Sequence, residues 1–348
     1  HDFYQGKTAK AMVKAVRNNT VRQGLLSLED LALYQSKQTD ALCADMQAYR
    51  LCGTPPPSSG PLAVMQIVGI LNYLPGQHDL DSESSVFYQR FTEALQLAMA
   101  DRNRYIADPA FIKMPIEKML EPDYLQQRVA LIPKQKASNP PVKAGIFGNF
   151  EEKRANGLEL EQPSTTHLSI IDSKGNIVSM TSSIEMAFGS RIMVGGFLLN
   201  NQLTDFSFYD KNQESGENIA NRIEANKRPR SSMAPMIIFY EDKPVLAIGS
   251  PGGSRIIAYV AKVLAQSLYG SLRVQDAVAS PHSSYFRQTV ELEASGKSQA
   301  DALETMGYKT RLVEQTSGLH ILDMRGDKIL GIADGRREGS IRHAGDSL

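Results

Sequence analysis

Tryptophan is absent from this sequence, and cysteine occurs only twice. So few thiols exclude a disulfide-dense scaffold and a C-x-x-C metal or redox site. The six histidines are scattered, with no H-E-x-x-H spacing, so no metal centre is expected. Neither sign of charge is in excess: Lys+Arg and Asp+Glu are both 38. A chain without a net field has no general attraction for nucleic acid or for an acidic membrane surface. Long apolar runs are missing too. The longest, Leu62 to Leu74, is broken by Gln66 and Asn72 and falls short of the ~20 residues that span a bilayer. The chain opens on "HDFYQGKTAK", without an initiating methionine or a signal-like segment, so a piece of a longer chain is expected.

What is present is ordinary globular chemistry, 42% hydrophobic and 22% charged over 348 residues. Such a chain buries roughly three quarters of its unfolded surface. It has room for two domains or one large one. Cys43 and Cys52, in "ALCADMQAYRLCG", flank a hairpin turn. A cross-strand bridge is geometrically open to them. Two cysteines say little about compartment, and two unpaired small hydrophobes are the plainer expectation.

Residues 7–35 are expected to be helical, with Ser27, Glu29 and Asp30 marking an N-terminus among them. In "GTPPPSSGPLAVMQIVGILNYL" the prolines forbid helix, and the serines and glycine then open a buried one. Residues 86–101 carry the 3.6 period of another helix. Residues 134–164 are rich in Pro, Lys, Glu and Asn and read as a linker. They divide the chain into segments 1–164 and 165–348.

From Thr165 the texture changes. "THLSIID", "SKGN" and "IVSMTSSI" form a hairpin. "FLLNNQLTDFSF" reads as a strand followed by a loop, and residues 207–230 as a long mobile loop over a site. "APMIIFYEDKPVLAIGSPGGS" is a second hairpin, after which Ser254 starts a helix closed by Gly270. "GLHILDMRGDKILGIADGRR" is a third hairpin. Hairpins followed by helices predict a layered α+β architecture.

Three loops carry candidate chemistry. "GSPGGSR", residues 249–255, fits neither a phosphate loop nor a nucleophile elbow. Consecutive glycines before a helix expose backbone N–H groups at its positive end. Such donors suit an oxyanion hole, where they lower a barrier by ~3–4 kcal/mol. A tight turn with a helix cap is the plain alternative. "KRPRSSMAP", residues 227–235, sets two hydroxyls behind three cations and in isolation reads as a solvated loop. "NNQLTDF", residues 200–206, offers Gln202 and Asp205, a pair that suits either a cationic group or a turn. Thr165 alone is an ordinary first residue of a strand. A threonine hydroxyl needs a base to attack anything. If the bond before Thr165 is cut, its own α-amine, with an ordinary pKa of about 7.7–8.0, takes that proton.

Together, "TTHLSIID", "FLLNNQLTDFS", "KRPRSSMAP" and "GSPGGSRII" resemble the γ-glutamyltranspeptidase family of N-terminal nucleophile hydrolases, in order and spacing over residues 165–348. Upstream, "DFYQG", "PPPSSG" and "ADRNRYIADPAF" resemble the later part of that family's large subunit. The resemblance implies an αββα four-layer sandwich. Segment 1–164 would be the helical end of the large subunit, and 165–348 the small subunit with Thr165 heading a central strand. It implies a precursor that cuts itself between Ser164 and Thr165. The freed Thr165 then takes the γ-glutamyl group of glutathione or a related amide. Water or an acceptor amino acid or peptide resolves the acyl-enzyme. The implied supporting hydroxyl is Ser183, and the implied oxyanion donors are Gly252 and Gly253. Gln202 and Asp205 would hold the substrate ammonium, and Ser231 and Ser232 its α-carboxylate. Glu185 stands where several members have Asn and adds a carboxylate beside the ammonium.

No cofactor, metal, nucleic acid or membrane span is implied, and the implied location is periplasmic or secreted. The family's large subunit extends further upstream and carries there the arginine that clamps the α-carboxylate. Nothing in 1–164 matches that motif, so fold and site are expected to be incomplete. Two alternatives stay open: an acylase for another amide, such as a β-lactam side chain, and an inactive truncated fragment.

Overall fold

The fold was analysed in a computed structural model that describes residues 1–76, 84–138, 142–147, 154–157 and 164–344. The helical stretch expected over 7–35 holds two helices, α2 (Lys7–Arg17) and α3 (Leu28–Leu33), preceded by the short α1 (Asp2–Gln5). The Asn19 side chain accepts the N–H groups of Val21 and Arg22 and turns the chain after α2. Ser27 and Asp30 form a reciprocal capping box that opens α3.

β1 (Leu42–Met46) and β2 (Tyr49–Gly53) are a hairpin whose register sets Cys43 opposite Cys52, and the two are joined by a disulfide. This corrects the expectation of two unpaired thiols. Composition is silent on which residues face each other, and the cross-strand pairing places the two Cα atoms 4.1 Å apart. α4 (Gly60–Tyr73) follows the prolines and is buried nearly all round, as a helix apolar on most of its surface requires. α5 (Ser85–Tyr105) starts where Ser84 caps the Phe87 N–H. α6 (Ile116–Leu120) and α7 (Pro122–Val129) come next.

Several described residues of 134–164, expected to be a linker, are packed against the rest of the chain. Gly145 donates its N–H to Asp101 Oδ1 at 2.7 Å. Phe147 sits against the rings of Tyr105 and Tyr124. Arg154, in β3 (Arg154–Ala155), is buried and donates to the Lys113 carbonyl. The rest of that stretch lies outside the described residues.

β4 (Thr165–Ile171) and β5 (Ile177–Ser183) form the expected first hairpin. The short β6 (Met193–Val194), β7 (Phe197–Leu198) and β8 (Asn218–Ile219) precede the second, β9 (Met236–Tyr240) with β10 (Lys243–Gly249). Its two turn residues, Glu241 and Asp242, have φ of 47° and 61°, the left-handed pair that matches strand twist. α8 (Ile256–Leu264) begins two residues after Ser254 and widens into a π turn over Ala265–Tyr269 before Gly270. α9 (Val274–Ala279), β11 (Ser283–Phe286), β12 (Thr289–Leu292), α10 (Lys297–Thr305) and β13 (Thr310–Leu312) follow. β11, β12 and β13 make a small sheet that the sequence did not signal, because such short strands show too little alternation. β14 (His320–Asp323) and β15 (Leu330–Ala333) are the third hairpin.

The main sheet has six strands in the order β1-β2-β9-β10-β14-β15, every pair antiparallel. Segments 1–164 and 165–348 therefore share one sheet. α4, α5 and α8 build the helical side, with Val64, Ile67, Val260 and Leu264 in one core with Ile238 and Ile248 of the sheet. The β4–β5 hairpin lies on the sheet as a second β layer. Ser169 Oγ donates to the His320 carbonyl and Ser179 Oγ to the Ile248 carbonyl, each at 3.1 Å. On the hairpin's outer side Ile170, Val178 and Met180 are exposed. Among the described residues no helix is long and apolar enough to cross a membrane.

Candidate active site

Thr165 is the first residue of β4 and pairs with Ser183, the last of β5. Its hydroxyl donates to Ser183 Oγ at 3.1 Å. Ser183 Oγ also accepts the N–H of Glu185 at 3.0 Å, and Ser164 Oγ donates to the Glu185 carbonyl. The two strand ends are thus tied together around the Ser164–Thr165 bond. Glu185 has φ 74°, an uncommon conformation for a side chain that persists only when its surroundings fix it. Here its N–H, its carbonyl and its carboxylate are all engaged, the last by Asn201 Nδ2.

His167 anchors the head of β4 to the sheet. Ser169 donates to the His320 carbonyl, so its oxygen is left to accept from His167 Nε2 at 3.2 Å. The other ring nitrogen, Nδ1, then accepts from Thr181 Oγ1 at 2.8 Å. The ring fits because position 249 is glycine: a Cβ there would come within 2.3 Å of His167 Cε1. Burial, with His320 nearby, pushes His167 from 6.5 down to about 3. The folded state keeps this ring neutral, whereas the unfolded chain takes up its proton near 6.5. Its stabilisation is complete above that pH and is lost as pH falls toward the folded value. His282, wholly buried near Lys262 and Arg336, acts in the same direction. The urea midpoint should therefore fall steadily as pH drops from about 6.5 to about 4, and less steeply in His167→Gln. A midpoint that stays level over that interval would contradict a buried neutral ring.

The glycine turn follows β10. Gly252 has φ 141° and Gly253 φ 60°, conformations open to glycine. A Cβ on Gly252 would also meet the Tyr259 ring at 2.6 Å. One 3₁₀ turn, Gly253–Arg255, then leads into α8.

Gln202 and Asp205 lie on a single 3₁₀ turn rather than an open loop, with Gln202 Nε2 donating to Asp205 Oδ2. Asn221, fully buried, fixes that turn by donating to the Asp205 carbonyl at 2.7 Å. The expected mobile loop 207–230 is therefore pinned near its middle. Nor is "KRPRSSMAP" solvated. Arg230 is 0% exposed and donates to the carbonyls of Arg102 and Ile106, closing the end of α5. Lys227 Nζ donates to the Ala220 carbonyl at 2.7 Å.

Ser231 and Ser232 are held by residues far away in the chain. Ser59 donates to the Ser231 carbonyl from both its N–H and its hydroxyl, at 2.7 Å each. Arg102 bridges the two segments, with Nε to Ser59 Oγ at 2.7 Å and Nη2 to Ser232 Oγ at 2.6 Å. Thr165, Ser183, Glu185, Gln202, Asp205, Ser231, Ser232 and Gly253 all line one small cleft. Gly252 stands one residue behind Gly253 in the turn. Met233 and Ile256 add an apolar wall.

The sequence model of the Gamma-glutamyltranspeptidase family matches residues 1–344. The chain belongs to the γ-glutamyltranspeptidase family. It is 35% identical to the glutathione hydrolase proenzyme of Bacillus subtilis (strain 168), over 97% of this chain and 58% of that protein. It is 30% identical to the Acylase ACY 1 proenzyme of Pseudomonas sp. (strain SE83), over 97% of this chain and 57% of that one. Its fold is similar to that of cephalosporin acylase from Bacillus halodurans, at 23% identity and a TM-score of 0.80, covering 97% of this chain and 59% of that one. The fold is that of the N-terminal nucleophile hydrolases. The chain spans a little over half the length of these relatives.

For this γ-glutamyltranspeptidase family member the sequence motifs name the residues facing the cleft but not those behind them. Asn201 and His167 fall within the motifs, as do Ser59 and Arg102 upstream, but no role for them is legible there. What the motifs lack is the pairing of Arg102 with Ser232, or of His167 with Gly249.

Proposed function

We propose that this chain carries the nucleophile of an enzyme that transfers or hydrolyses the γ-glutamyl group of glutathione and related amides. The observation that carries this reading is the meeting of a strand-heading threonine, two acids, three serine hydroxyls and a glycine turn in one cleft. Maturation comes first. Thr165 Oγ1 adds to the carbonyl carbon of Ser164, and the amide nitrogen leaves with a proton. Water hydrolyses the resulting ester, leaving a carboxylate on Ser164 and a free amine on Thr165. The first piece is then the end of the large subunit and the second the small subunit.

In turnover the new amine takes the hydroxyl proton as Oγ1 attacks the γ-carbonyl. The N–H groups of Gly252 and Gly253 stabilise the oxyanion. The amine passes its proton to the leaving nitrogen, and water or an acceptor amine resolves the acyl-enzyme. Asp205 and Gln202, with Glu185, hold the substrate ammonium. Ser231 and Ser232 hold its α-carboxylate, with Arg102 behind them. The chemistry needs no cofactor. We place the protein in the periplasm or outside the cell, where the Cys43–Cys52 disulfide persists.

A second reading, an acylase for another amide, is favoured by the similarity to the Acylase ACY 1 proenzyme and by a buried carboxylate at Glu185. Amine release from glutathione and from a glutaryl amide separates the two, because the glutaryl group has no ammonium. The γ-glutamyl reading expects at least about a tenfold preference for glutathione, the least that one charge-assisted hydrogen bond supplies. Equal rates would favour the acylase. A single uncut band with no amine released from either would favour a non-catalytic fragment.

A further inference from the structure

We propose that Arg337 is a further functional residue of this cleft: its guanidinium disfavours the ammonium form of the Thr165 α-amine and so keeps that base neutral near pH 7. The proposal rests on the role given to Thr165 above. Arg337 closes the "GIADGRR" motif, to which the functional reading gives no part. Its Nη1 donates to the carbonyl oxygen of Thr165 at 3.2 Å. The nitrogen and oxygen of one extended residue lie about 2.7–2.9 Å apart, so the guanidinium is within about 7 Å of the amine. A unit charge at that range moves a neighbour's pKa by about one unit, within a factor of two, depending on screening.

The placement is built into the fold. Position 318 is glycine, and a Cβ there would lie 3.0 Å from Arg337 Cδ and 2.8 Å from Pro251 Cγ. Gly318 also donates its N–H to Ser250 Oγ at 3.2 Å. One segment thus braces the glycine turn and seats the Arg337 stem. Burial lowers the pKa of Arg337, while Tyr259 and Asp334 raise it. Arginine begins so far above neutrality that its charge stays.

The other charges facing Thr165 act the opposite way. Glu185 and Asp205 share its cleft, and both favour an ammonium. His167, two residues along β4, is held neutral by burial. An ordinary α-amine is mostly protonated at pH 7, and two carboxylates would make it more so. A general base works best with its pKa near the working pH, and Arg337 supplies the opposing charge. Before the cut, the Thr165 nitrogen is an amide and does not titrate. Arg337 therefore matters to turnover and not to cutting.

The test is the pH profile of kcat/KM with glutathione, from about pH 5 to about pH 9, in the full-length protein and two variants. In Arg337→Gln the acid limb should rise by about one pH unit, with the high-pH plateau kept and precursor cutting at the unaltered rate. In Arg337→Lys, which keeps the charge, the limb should stay within about 0.3 unit. A folded, cut Gln variant with an unmoved limb overturns the proposal, whatever its overall rate. So does a Lys variant shifted as far as the Gln one. If the Gln variant does not fold, Arg337→Met, which keeps an apolar stem, carries the same comparison. An inactive unaltered protein, or a mature fragment that does not begin at Thr165, overturns the role of Thr165 instead.

Discussion

Replacing Thr165 by alanine is expected to leave one uncut chain with no amidase activity. Two hydroxyls border the Ser164–Thr165 bond, and one of them is turned toward the Glu185 carbonyl, to which Ser164 Oγ donates. The other is Thr165 itself, held by Ser183 at 3.1 Å and facing the cleft. In the proposed mechanism, without it neither the ester of maturation nor the acyl-enzyme of turnover can form. Removing a covalent nucleophile lowers kcat by about 10⁴-fold or more. Thr165→Ser keeps the hydroxyl and loses a methyl, so it should still cut, more slowly. Electrophoresis of the full-length protein reads the cutting, and amine release from glutathione reads the turnover. An alanine variant that still cuts at this bond would end the case for Thr165.

The second large effect is expected at Asp205. Its buried carboxylate accepts from Gln202 Nε2, leaving the Gln202 carbonyl as a second acceptor for an ammonium. A charge-assisted hydrogen bond in such a cleft stabilises by about 1.5–3 kcal/mol. Asp205→Ala should therefore lose about ten- to a hundredfold in kcat/KM for glutathione. The same variant should lose little toward a glutaryl amide, which brings no ammonium. Unchanged kinetics with glutathione would remove Asp205 from the site.

The sequence was most legible where partners are close along the chain. The β4–β5 hairpin, the two-residue turn at Glu241 and Asp242, and the capping box at Ser27 each rest on contacts a few residues apart. The motifs around Thr165, Gln202, Ser231 and Gly252 were legible only together, through their resemblance to one family; each alone read as a strand end, a turn or a loop. The boundaries that failed were set by tertiary packing. The supposed linker was claimed by Asp101 and by the rings of Tyr105 and Tyr124. Lys227 and Arg230 looked solvated by composition and were buried because backbone carbonyls needed donors.

By itself the sequence determined which side chains can do chemistry and which strands pair locally, because alternation and turn residues act over a few positions. Only the tertiary structure decided that these groups meet. Ser232 reaches Arg102 across a separation of 130 residues, and Thr165 reaches Arg337 across 172. No local preference encodes such pairs. They follow from how a helical layer, a six-stranded sheet and a hairpin close on one another. A close-packed interior leaves each side chain few places to stand, and at Gly249, Gly252 and Gly318 only the missing Cβ lets the neighbouring ring or stem stand there.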